Sequence, residues 1–97
     1  MDRHYIEFTT PEKVDVIRDQ LPSPADDEVL ISVHHAGINR ADLLQRLGLY
    51  PPPADASPVP GLEGAGEVVA VGARCEHLKV GERVCALTHG GGYATLA

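Results

Sequence analysis

The 97-residue chain has no tryptophan, one phenylalanine and three tyrosines, so aromatic residues make up only 4% of it. Gly and Pro are frequent instead and punctuate short β-branched runs. Cysteine is equally sparse. Cys75 and Cys85 are the only two, with no C-x-x-C pair, which excludes a disulfide scaffold and a four-cysteine zinc module. They read as reduced thiols of a cytoplasmic protein, Cys75 in a turn and Cys85 in a strand, where it acts as a small hydrophobe. Positive charge is also short: 8 Lys and Arg against 14 Asp and Glu give a net charge of −6. That balance argues against nucleic acid or an anionic membrane as partner. No apolar run approaches the ~20 residues that span a bilayer. The charge at Asp2 is out of place in a secretory leader.

Several chemical motifs are missing too. Gly64-Ala65-Gly66 begins like a dinucleotide fingerprint, but Val69 stands where the third glycine belongs, and the cluster precedes a strand instead of a helix N-terminus. Gly90-Gly91-Gly92 lacks the Lys-Ser/Thr of a P-loop. Both read as tight turns or close backbone approaches. The five histidines, His4, His34, His35, His77 and His89, show no metal-ligand spacing. His34 and His35, adjacent in a strand, point to opposite faces. Ser23, Ser32 and Ser57 lack a nucleophile elbow.

What remains is a pattern of short strands. At 10.3 kDa the chain allows one small domain, which buries only ~60–68% of its unfolded surface. Arg3–Phe8 and Val14–Gln20 alternate apolar and polar residues around a turn at residues 9–13. Leu21–Asp27, with two prolines, is a loop, and Asp26-Asp27-Glu28 is its solvated exit into a third strand, Glu28–His35. There Val29, Ile31 and Val33 share one face, and Leu30, Ser32 and His34 the other. Further strands are expected over Glu67–Val71, Glu82–Leu87 and Tyr93–Ala97.

One helix stands out. Asn39–Leu47 carries an N-cap at Asn39, Asp42 in the capping-box position, a C′ glycine at Gly48 and an apolar face of Leu43, Leu44 and Leu47. A mainly β chain with one short helix fits a small, partly open β-barrel.

Chemistry gathers around that helix. Asn39, Asp42 and Tyr50 supply a carboxamide, a carboxylate and a phenol next to the rigid Pro51-Pro52-Pro53 segment. Such a trio can orient a carbonyl oxygen or a ribose hydroxyl. The same residues also have a purely structural reading: cap, capping partner and packing ring.

The residues from Ala36-Gly37-Ile38-Asn39-Arg40-Ala41-Asp42 to Gly48-Leu49-Tyr50-Pro51-Pro52-Pro53 carry a family resemblance. It continues through Gly61-Leu62-Glu63-Gly64-Ala65-Gly66, Val80-Gly81-Glu82-Arg83-Val84 and Gly90-Gly91-Gly92-Tyr93-Ala94. Together they resemble the zinc-independent quinone oxidoreductase branch of the medium-chain dehydrogenase/reductase superfamily, in particular its p53-inducible members. The resemblance implies an incomplete GroES-like N-terminal domain over residues 1–97, truncated before a Rossmann domain that binds NADPH. It implies hydride transfer to a quinone or activated enone, and an isolated chain without catalysis. The face left for the second domain and the open edge strand near Tyr93–Ala97 would both be exposed, which leaves room for a homo-oligomer.

Zinc-dependent relatives place a ligand cysteine where this chain has Asn39 and a ligand histidine where it has Leu62, so no zinc is expected. By resemblance Asn39, Asp42 and Tyr50 line the cleft beside the cofactor. Tyr50 is the donor to the developing quinol oxygen, Asn39 and Asp42 orient cofactor and water, and Glu63 has a supporting role. Two alternatives stay open: a stand-alone GroES-like binding module, and one subunit of a split enzyme.

Overall fold

The computed structural model describes residues 1–10, 12–49 and 56–97. Five strands and one helix follow in the order β1 (Asp2–Thr10), β2 (Lys13–Gln20), β3 (Val29–Ala36), α1 (Arg40–Arg46), β4 (Glu63–Val71) and β5 (Arg83–Leu87). The fold is mainly β, as the strand pattern predicts. β1 and β2 form an antiparallel hairpin, and β3, β4 and β5 form an antiparallel three-stranded sheet.

The expected strand at Tyr93–Ala97 makes only two isolated bridges, Tyr5 to Ala94 and Ser32 to Leu96. Its backbone nevertheless joins the two sheets. Ile6 N–H donates to the Tyr93 carbonyl at 2.9 Å and Thr95 N–H to the His4 carbonyl at 2.8 Å. On the other side, Val33 N–H donates to Thr95 at 2.9 Å and Ile31 N–H to Ala97 at 2.8 Å. The wall therefore runs from β2 through β1, residues 93–97, β3 and β4 to β5. Among the described residues it does not close.

One boundary and one face pattern differ from the sequence reading for a physical reason. β4 starts at Glu63, four residues earlier than expected, because Gly64 and Gly66 are ladder residues and not a turn. A Cβ on Gly66 would sit inside the Ser32 carbonyl oxygen, so β4 approaches β3 at a distance only glycine permits. The alternation expected in β3 is also broken. Register shifts fall between Leu30 and Ile31 and between Val33 and His35, so Leu30 and Ile31 are both buried. His34 and His35 are both exposed.

Among the described residues the core is small: Leu30, Ile31, Val59, Val68 and Leu96. None of its side chains comes from β1 or β2. Cys85 lies in β5 as expected, but it is exposed and does not serve as a core hydrophobe; Cys75 is half-buried, and both thiols are free. The apolar face expected of α1 is open as well, with Leu43 49% and Leu47 54% exposed. Among the described residues no helix is long and apolar enough to cross a membrane.

Candidate functional site

The helix begins where sequence predicts. Asn39 has extended backbone angles and is the N-cap, and Leu47 is the C-cap. The amide of Asn39 donates to Asp42 Oδ2 at 2.9 Å, which is the carboxylate half of a capping box. Asp42 is 2% exposed, the one buried charged side chain among the described residues. A second donor reaches the same oxygen: Tyr93 O–H, at 2.8 Å. Asp42 Oδ1 is buried without a hydrogen-bond partner.

Tyr93 is held from several sides. Its N–H donates to the Pro60 carbonyl at 2.9 Å, and its own carbonyl accepts from Ile6. The ring lies against Gly61, whose φ of +105° and contact with the Tyr93 backbone leave no room for a Cβ. Burial pushes the Tyr93 phenol well above its ordinary pKa, and the hydrogen bond to Asp42, the Asp42 charge and the Glu63 charge push it the same way. The hydroxyl is therefore a permanent donor at physiological pH.

Glu63 links this group to an open cleft. Its carboxylate lies directly over Gly37, and both residues line a hollow of about 490 Å³ with Ala65, His35, Cys85 and Leu87. Strand pairing sets His35 opposite Ala65 and Ala65 opposite Cys85, one row across three strands, with Leu87 opposite Glu63. The floor is made of small residues and the lining is largely apolar, a surface suited to a flat ring.

Of the residues singled out from sequence, the structure brings Asn39 and Asp42 into direct contact; Tyr50 lies outside the described residues. Leu62 is half-buried and offers no ligand atom on its side chain. Among the described residues no three His, Cys, Asp or Glu side chains gather where one ion could bind. Sequence reasoning missed Tyr93 as part of the site. It stands 51 positions from Asp42, and the only local signal was an aromatic ring directly after three glycines.

Residues 25–95 match the alcohol dehydrogenase GroES-like domain. The chain belongs to that family. It is 43% identical over 88 residues to a probable quinone oxidoreductase of Schizosaccharomyces pombe, covering 89% of this chain and 26% of that protein. Among solved structures, the human synaptic vesicle membrane protein VAT-1 homolog-like protein superposes with a TM-score of 0.86 at 30% identity, over all of this chain and 32% of the other. Escherichia coli quinone oxidoreductase complexed with NADPH superposes with a TM-score of 0.73 at 32% identity, over 99% of this chain and 30% of that one. The chain thus spans between a quarter and a third of the length of each of these three relatives.

Proposed function

We propose that this chain is the incomplete GroES-like N-terminal domain of an NADPH-dependent quinone oxidoreductase that works without zinc, and that the 97 residues alone are not catalytic. The observation that carries this reading is the likeness to quinone oxidoreductases along nearly the whole chain, one of them solved with NADPH. Zinc independence is supported by the donor set, since neither the carboxamide of Asn39 nor the alkyl side chain of Leu62 suits a zinc ion.

NADPH, when bound, supplies a hydride. The residues present fit such a cofactor in a limited way. A capping carboxamide uses only its oxygen, so Asn39 keeps two N–H donors for a carbonyl oxygen of cofactor or substrate. The family resemblance assigns the cofactor's phosphates to a Rossmann domain outside these residues. Asp42, buried and accepting two hydrogen bonds, orients Asn39 from beneath. Tyr50 donates to the quinone oxygen that becomes a quinol, where charge is delocalised over the ring and hydrogen bonding suffices without a metal. The open, largely apolar cleft at Ala65 and Leu87 accepts the quinone ring.

The test uses the full-length protein purified with a chelator and assayed for NADPH oxidation with 1,4-benzoquinone. Quinone-dependent oxidation that the chelator leaves intact supports the reading; no oxidation, or loss with the chelator and recovery with zinc, overturns it. Tyr50→Phe is expected to lower kcat by ~100-fold, within the usual range for losing one proton donor.

A further inference from the structure

We propose that Tyr93 is a positioning residue of the reaction site: acting through Asp42, it sets the place of Asn39 at the mouth of α1. The inference deepens the reading above and rests on it for its kinetic consequence, but its structural content stands apart.

The geometry makes a chain of three groups. Tyr93 O–H donates to Asp42 Oδ2 at 2.8 Å, and Asn39 N–H donates to the same oxygen at 2.9 Å. One carboxylate oxygen thus fixes both the phenol and the residue that starts the helix. Each end of the chain differs in stiffness. Tyr93 is clamped by the Pro60 carbonyl, the Ile6 amide and the close approach of Gly61.

Asn39, by contrast, starts a helix of 7 residues, with Leu43 and Leu47 half-exposed and Ile38 76% exposed. A helix so short and so sparsely packed does not hold its own N-terminus. The part-buried hydrogen bond to Tyr93 transfers the rigidity of the sheet junction to it. Because Oδ1 has no partner, Oδ2 carries every hydrogen bond the structure gives the Asp42 carboxylate. Removing the Tyr93 hydroxyl takes away one of its two donors and leaves the carboxylate held by the Asn39 amide alone.

Tyr93 does not reach the ligand in this account. Its hydroxyl is occupied by Asp42, so its effect on the reaction is indirect, through the placement of the Asn39 carboxamide. A displacement of about 1 Å in such a group can cost up to ~100-fold in rate.

The full-length protein carries the test, at a temperature where circular dichroism shows every variant folded. Tyr93→Phe is expected to lower kcat for quinone reduction by about 10-fold while KM for NADPH stays within about twofold. A residue that merely held the fold would leave kcat of folded enzyme unchanged. Asp42→Ala is expected to lower kcat further, and the double variant to match Asp42→Ala alone, because the phenol acts only through the carboxylate. Losses that multiply in the double variant, or a Tyr93→Phe enzyme with normal kcat, overturn the proposal.

Amide exchange read by mass spectrometry over residues 37–44 is independent of activity. Tyr93→Phe should speed exchange there by about 10-fold and leave peptides of β3 to β5 unchanged. Unaltered exchange at 37–44 overturns the positioning role even in an active enzyme. Should the wild-type protein fail to reduce quinones, that failure removes the functional reading, and the exchange result alone decides the fate of Tyr93.

Discussion

The β1–β2 hairpin and the β3–β4–β5 sheet are both antiparallel but differ in what lies against them. In the three-stranded sheet Leu30, Ile31 and Val68 are buried, Val68 completely. In the two hairpin strands no residue is buried, and Val14 and Val16 are 48% and 66% exposed. The hairpin is instead held by its ladder and by polar pairs across it. The Arg3 guanidinium grips Asp19 through two hydrogen bonds, at 2.9 and 2.6 Å, and lies 4.8 Å from the centre of the Tyr5 ring. Period-two alternation therefore marks a strand, but burial depends on whether another layer covers the apolar face.

The sharpest way to break that contrast is at Gly66. Gly66→Ala should destabilise the protein by upward of about 4 kcal/mol or prevent folding, since the new methyl meets the Ser32 backbone, which cannot yield without parting β3 from β4. Thermal unfolding and soluble yield would show it.

A paired substitution comes next in size. Val68→Ala removes a fully buried side chain and should cost about 2–3 kcal/mol. Val16→Ala in the hairpin should stay within about 0.5 kcal/mol. Denaturant unfolding measures both, and equal effects would erase the distinction between the two sheets.

Titration sharpens the comparison at a finer scale. Tyr93 has a raised pKa in the folded protein, so the unfolded chain releases that proton first, near its ordinary value of about 10. Its contribution is complete below that pH and is lost progressively as the pH rises further. Ultraviolet absorbance should therefore show one of the three tyrosines remaining neutral at pH 11 while the fold persists. Tyr93→Phe should remove that silent tyrosine.

The smallest effect belongs to the hairpin. The hydrogen bonds from Arg3 lower the Asp19 pKa, with the Arg3 charge helping. The stability this adds is present above the usual carboxylate range of about 4 and fades as pH falls below it. Comparison of Asp19→Asn with wild type from pH 6 to pH 3 should show the difference shrinking towards the acid end, by less than any effect above.

Much of this arrangement was legible in the residues themselves. The strands at Arg3–Phe8, Val14–Gln20 and Glu28–His35 were found within two residues of their observed ends, because alternation and the prolines of the Leu21–Asp27 loop are local signals. The helix was equally clear, since Asn39, Asp42 and Gly48 are terminus signals that act over a single turn.

Glycine was half legible at β4. Gly66 is one of the close backbone approaches that the glycine cluster allowed, but its partner, the Ser32 backbone, is more than thirty positions away, so the start of the strand at Glu63 could not be read locally. Local sequence thus determined the mainly β character, the position and start of α1 and the contact between Asn39 and Asp42. Only the tertiary structure decided which sheet would be buried, that residues 93–97 would join two sheets by isolated bridges, and that Tyr93 would reach Asp42. Hydrogen bonds of capping and turn residues span a few positions, whereas burial and long-range pairing depend on which surfaces the folded chain brings together.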